Sequence, residues 1–216
     1  MTRLALFSIL SVCGCANASA YAPPAPCITC AAPGPNRAWM PPETPVVIIG
    51  DSIVNRWNTG DSIGGVTYPG IPSGVTALGI DGMRVLEFAH QDIPAGTKTV
   101  VMAMGTNDCG RNDPIDDIVA AYQEAIDDVL GHVPTARIVV SLVMPTTGQP
   151  ATRNVCATEL NARLILLGYE VLDAWSILAC SAGTNAMCNN VHADGVHLNN
   201  EGYRLWRILL DAWIRG

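Results

Sequence analysis

Apolar and polar positions along this chain alternate between short β-branched runs and longer amphipathic stretches. Val46-Val47-Ile48-Ile49 contains no polar residue, the pattern of a strand covered on both faces. It stops at Gly50-Asp51-Ser52, and a short helix is expected from there through Trp57. Val75 to Ile80 reads as a second strand and Met83 to His90 as the helix behind it. Thr97 to Met104 is a third strand, ending in Gly105-Thr106-Asn107-Asp108. Asp113-Pro114 then opens a long amphipathic helix. There Ile118, Ala121, Tyr122, Ala125, Ile126 and Val129 recur at helical spacing with acidic residues between them. Arg137 to Val143 is the fourth strand, Thr158 to Leu167 a helix, and Glu170 to Leu172 a last short strand. The final helix runs from about Asn200 to Ile214, with Leu205, Ile208, Leu209 and Ala212 as its expected buried stripe.

This alternation places the chain in the α/β class, a three-layer α/β/α sandwich around a central parallel sheet of about five strands. Ligands of such folds bind beyond the carboxyl ends of the strands. Ser52, Gly82 and Asn107 follow the first, second and third strands there.

Residues 1–44 follow another pattern. Arg3, the apolar run Leu4 to Val12, and Ala18-Ser19-Ala20 have the three parts of a signal peptide cleaved after Ala20. That run is too short to span a bilayer as a permanent helix. Val12-Cys13-Gly14-Cys15 also loosely resembles a bacterial lipobox, with Cys15 as the lipidated residue. Residues 21–44 hold Pro23, Pro24, Pro26, Pro33, Pro35, Pro41 and Pro42, so an extended leader is expected before the domain at 45–216. A secreted or periplasmic location follows from these features.

Composition removes other classes. The 216 residues are 49% hydrophobic and 14% charged, enough apolar material for one folded core. A formal charge of −7 is unsuited to a non-specific nucleic-acid binder, which must neutralise phosphates. Lys98 is the sole lysine, and no basic cluster suited to an anionic bilayer occurs. Behind an export signal, Cys27, Cys30, Cys109, Cys156, Cys180 and Cys188 are candidates for disulfides, in more pairings than spacing can choose between.

Four loops carry candidate chemistry, and each taken alone also has a plain structural use. Ser52 opens a helix, whose free N–H groups face whatever binds there, but Asp and Ser are also ordinary helix caps. Gly79-Ile80-Asp81-Gly82 lets a backbone N–H approach a ligand, or is simply a turn. Asn107 offers an N–H donor to a developing oxyanion, or closes an Asx-turn. Asp194-Gly195-Val196-His197 spaces a carboxylate to hold one imidazole nitrogen while the other faces the serine. His90, His132 and His192 have no such companion and read as structural or surface residues.

In this order and these loop positions the four motifs resemble the SGNH (GDSL-type) hydrolase family over roughly residues 45–216. The resemblance implies a flavodoxin-like sheet and a serine esterase needing no cofactor and no metal. Ser52 would be the nucleophile, His197 the base and Asp194 its orienting acid. The oxyanion hole would comprise the Ser52 and Gly82 amides and the Asn107 side chain. Ile53, Met83-Arg84 and Leu198 depart from the usual family residues without removing a reacting group. Loop positions then suggest Cys109–Cys156 and Cys180–Cys188 disulfides, leaving Cys27–Cys30. Short connections and the scarcity of phenylalanine (Phe7 and Phe88) favour a small acyl group, such as acetate on a carbohydrate. Trp57 is placed either to line the pocket or to fill the core. The family's lipases, lysophospholipases and thioesterases, acyl transfer to a sugar, and an inactive secreted binding protein are the alternatives.

Overall fold

The computed structural model describes residues 45–59, 62–63, 66–67, 70–88, 91–180 and 186–215. The expected signal peptide 1–20 with Cys15, the proline-rich leader 21–44 with Cys27 and Cys30, and His90 lie outside the described residues. In chain order come β1 (Val46–Gly50), α1 (Ser52–Thr59), β2 (Ser62–Ile63), β3 (Val66–Thr67) and β4 (Val75–Gly79). A 3₁₀ turn (Val85–Glu87), β5 (Thr99–Ala103), α2 (Thr106–Arg111), α3 (Ile115–His132) and β6 (Arg137–Ser141) follow. The chain continues through α4 (Ala151–Ile165), β7 (Glu170–Leu172), α5 (Ala174–Leu178) and α6 (Asn200–Arg215).

Five strands form one parallel sheet in the order β4-β1-β5-β6-β7, with Val46 beside both Val75 and Thr99. Strand β1 is buried along its whole length, as its unbroken apolar run requires. Val47, Ile49, Val100 and Met102 pack in one core layer with Tyr122 and Ile126 of α3 and Leu160 and Leu164 of α4. Val46, Ile48, Val101 and Val139 pack in the other with Trp57 of α1 and Tyr203, Trp206 and Leu210 of α6. The three-layer α/β/α sandwich is therefore present. The chain leaves β1 for one neighbour, β4, and later returns on the other side as β5. That reversal opens a crevice beyond the carboxyl ends of β1 and β5, where folds of this type hold ligands.

Several elements differ from the sequence expectation. A helix was expected from Met83 to His90; the described part, to Phe88, holds only the 3₁₀ turn, entered through Arg84 in an extended conformation. Asp108 takes the Val85 and Leu86 amides at 3.1 and 3.3 Å, so a side chain from α2 caps this turn. Helix α4 begins at Ala151, not Thr158, because its first turns are polar and bond to neighbouring loops: Asn154 to Thr146, Arg153 to the Thr106 carbonyl. Helices α2 and α5 and the β2–β3 hairpin were not expected. Helix α6 is rotated from the expected stripe: Tyr203, Trp206 and Leu210 are buried, and Ala212 is exposed. Both aromatic rings stack with Trp57 at centroid distances of 5.5 and 4.8 Å, and the Tyr203 hydroxyl donates to the Ile53 carbonyl at 2.7 Å. Aromatic area and one satisfied hydroxyl outweigh the aliphatic face. Trp57 is accordingly a core residue, 1% exposed.

Cys109 and Cys156 form a disulfide that ties α2 to α4. The expected Cys180–Cys188 bridge is not formed; both are free thiols. Burial, with the adjacent Cys180 thiol, pushes Cys188 up to about 11.

Candidate active site

The first strand delivers Ser52 directly to the crevice as the opening residue of α1. Asp51 supports that turn from below, its Oδ1 accepting the Ile53 amide at 2.9 Å in the manner of an N-cap. The Asp51 carboxyl is 1% exposed, and burial pushes it up to about 7. Asp thus does serve as a cap here, while the neighbouring serine is left for other contacts.

Those contacts come from 145 residues later in the chain. The Ser52 hydroxyl lies 2.9 Å from His197 Nε2, and His197 Nδ1 lies 2.6 Å from Asp194 Oδ2. A carboxylate can only accept, so Nδ1 carries the shared proton and Nε2 presents its lone pair to the hydroxyl. Asp194 Oδ1 also receives the Val196 and His197 amides at 3.0 and 2.8 Å. Burial alone pushes this carboxyl up, but the bonds from His197 and Val196 prevail and hold it at about 2. Burial lowers His197 below the ordinary imidazole value; the Asp194 bond opposes this, and the Arg56 cation assists it. The ring is therefore neutral at neutral pH and able to take a proton.

The other two expected residues reach the same edge. Gly82, at φ +74°, follows β4 in a turn closed by the Met83 amide on the Ile80 carbonyl. The Asn107 amide donates to the Met83 carbonyl at 3.0 Å and keeps a second N–H. Asn55 of α1 donates to Asp81 at 3.0 Å. The loop after β4 is thus bonded on one side to α1, which follows β1, and on the other to the loop after β5, so Ser52, Gly82 and Asn107 share one edge of the sheet. His132 sits at the end of α3, bonded to the Asp128 carbonyl and away from these contacts.

Motif reading did not find the cations. Arg56 lies one helical turn after Ser52 on the same face, and its Nη1 is 3.8 Å from Asp194 Oδ2. Its four-residue spacing from Ser52 was the available signal. Arg153 is half-buried beneath the Thr106 carbonyl and offered no local pattern. Among the described residues no group of three His, Cys, Asp or Glu side chains gathers to hold a metal, and no helix is long and apolar enough to cross a membrane.

No curated protein matches this sequence. Solved structures resemble it in fold. A GDSL-like lipase from Bacteroides thetaiotaomicron is 22% identical with a TM-score of 0.63, the match covering 80% of this chain and 88% of that one. A carbohydrate esterase family 3 protein from Talaromyces cellulolyticus is 18% identical with a TM-score of 0.58, covering 80% and 96%. An acetyl esterase variant crystallised with acetate ion is also 18% identical, with a TM-score of 0.56 over 80% and 96%. The family model for GDSL-like lipases and acylhydrolases matches residues 48–205, a span that contains Ser52, Gly82, Asn107, Asp194 and His197. With that match across most of its length, the chain belongs to the GDSL-like lipase/acylhydrolase family.

Proposed function

We propose that this acylhydrolase is an exported serine esterase that removes small acyl groups, acetate on carbohydrate above all, through a covalent intermediate on Ser52. The observation that carries the proposal is the continuous relay from Ser52 Oγ to His197 at 2.9 Å and from His197 to Asp194 at 2.6 Å. His197 Nε2 takes the hydroxyl proton as Oγ bonds to the ester carbonyl carbon. The carbonyl oxygen becomes an oxyanion, facing the Ser52 and Gly82 amides and the free N–H of Asn107. Such donors contribute about 3–4 kcal/mol each in the transition state. The C–O bond to the alcohol then breaks, and the alcohol leaves with the proton from His197. Water gives a proton to the same nitrogen and attacks the acyl carbon, and the acid departs as Ser52 regains its hydrogen.

A small acyl group is supported by the polar residues beside the serine, Asn55, Asp81 and Arg56, and by the fold's likeness to a carbohydrate esterase and an acetyl esterase. Export is supported by the signal-like segment 1–20 and by the Cys109–Cys156 disulfide, which suits an oxidising compartment. Comparing p-nitrophenyl acetate with the dodecanoate ester, and acetylated with unacetylated oligosaccharide, tests the substrate class. Acetyl preference is expected, with acetate released from the sugar. A higher kcat/KM on the long chain would replace this reading with a lipase. The mass of the mature N-terminus tests export, cleavage after Ala20 being expected and a lipidated Cys15 the contrary result.

A further inference from the structure

We infer that His192 is a positioning residue, whose ring nitrogen fixes the turn that carries Asp194 and His197. The inference rests on the Ser52–His197–Asp194 reading and adds a residue that sequence spacing assigned to structure or surface. His192 Nδ1 accepts the Gly195 amide at 2.9 Å. An amide can only donate, so Nδ1 must be bare and the neutral ring must carry its proton on Nε2. Among the described residues, that Nε2 is buried without a hydrogen-bond partner, and the polar contact of the ring is the one with Gly195.

The turn between the two reacting side chains is closed across its base by the Ala193 amide on the His197 carbonyl at 2.8 Å, and Arg56 lies 3.8 Å from the Asp194 carboxylate. Asp194 holds the Val196 and His197 amides itself, so those bonds move with it. The backbone between Asp194 and His197 is anchored from outside at Gly195: its amide goes to His192, and its carbonyl takes the Thr147 amide at 2.8 Å. Gly195 is at φ +86°, and a Cβ there would lie 2.1 Å from the Thr147 carbonyl oxygen, so the peptide is gripped from both sides. His192 is itself fixed through its carbonyl, which accepts from Asn199 at 3.2 Å, and through its bridge to Leu198. The imidazole is therefore a strut between a held backbone and the catalytic turn. Losing the acceptor frees the Gly195 peptide to rotate, and the Asp194 carboxylate and His197 ring then shift relative to Ser52. A displacement of about 1 Å at reacting groups lowers turnover by about 100-fold.

Three variants separate the acceptor from the ring's bulk. In His192→Asn the side-chain oxygen sits on Cγ, as Nδ1 does. His192→Leu keeps bulk without an acceptor, and His192→Gln reaches toward the Nε2 position instead. On p-nitrophenyl acetate, His192→Asn is expected within about threefold of the wild-type kcat. The Leu and Gln forms should lose about 10–100-fold in kcat with KM within about twofold. An Asn form as slow as the Leu form, or a Leu form as fast as wild type, overturns the inference. If the variants do not fold, nitrogen-15 NMR of the wild-type histidines decides: a proton on Nε2 of His192 supports it, and one on Nδ1 overturns it. His197→Ala, run alongside, keeps the two readings apart. Its retention of activity would remove the relay itself, whereas its inactivity with indifferent His192 variants would remove only the strut.

Discussion

Replacing Gly79 by alanine tests whether the packing of α1 on β4 sets the position of the Ser52 hydroxyl. Gly79 ends β4 directly under the helix backbone. A Cβ there would lie 2.2 Å from Asn55 N, 2.6 Å from Asn55 Cα and 2.8 Å from the Val54 carbonyl carbon. Favourable non-bonded contact begins near 3.5 Å, so the helix must retreat by about 1 Å. The obstructing atoms are backbone, and no side-chain rotation relieves them. Because Ser52 opens the same helix, the retreat draws its Oγ from the 2.9 Å contact with His197. Overpacking of this kind costs about 1–3 kcal/mol, and each kcal/mol is worth about 2–4 °C in Tm for a domain of this size. The protein should therefore fold, melt several degrees lower, and lose about 100-fold in kcat on p-nitrophenyl acetate. Gly131→Ala is the control. That glycine lies near the end of α3, and a methyl group added to it would meet nothing within 4 Å, so the variant should gain up to about 1 kcal/mol and leave turnover unchanged. A folded Gly79→Ala protein with wild-type kcat would refute the reasoning.

Four further outcomes follow from the site and its supports. Because His197 must be neutral and burial lowers its pKa, kcat/KM should rise with pH through an apparent value below 6.5 and then level off. Arg56→Gln removes a neighbouring cation and should move that limb to higher pH; an unmoved limb contradicts the assigned electrostatics. Replacing Cys109 and Cys156 by serine opens a loop of 47 residues, worth about 4 kcal/mol in chain entropy and about 8–16 °C in Tm. Calorimetry showing an equal Tm would contradict it. Asp51, held at about 7 when folded against 3.8 as its ordinary value, binds its proton more tightly in the native state. Wild-type stability should therefore fall as pH rises from about 4 to about 7. Asp51→Asn keeps the acceptor for the Ile53 amide and should gain in Tm over wild type more at pH 8 than at pH 5; an equal difference at both would sink the assignment.

The sheet was legible because β1 and β5 are apolar on both faces, a pattern few other elements produce. The convergence of Ser52, Asp194 and His197 was legible from motif order and loop position, since each motif ends a strand or precedes the last helix. Other features depend on partners that no local window contains. The Met83–Phe88 segment holds only a short 3₁₀ turn, and the side chain that caps its Val85 and Leu86 amides is Asp108, 22–23 residues on. The first turns of α4 hide their helical character behind Arg153 and Asn154, which face loops. The α6 face is chosen by Trp57, which lies in another element. His192 carries no spacing signal, because its contact is with a backbone amide that any residue would have supplied. Cys180 and Cys188 were correctly placed together, but loop position alone does not decide whether two neighbouring thiols are bonded, and here both are free.

The central claim is that Ser52 is the residue that carries the acyl group. Treating the protein with a fluorophosphonate and mapping the adduct by mass spectrometry tests it most directly. One adduct on the peptide containing Ser52 is expected, with loss of p-nitrophenyl acetate hydrolysis in step with labelling and no labelling of Ser52→Ala. An adduct on a different residue, or a Ser52→Ala protein that still turns over the ester, would contradict the account.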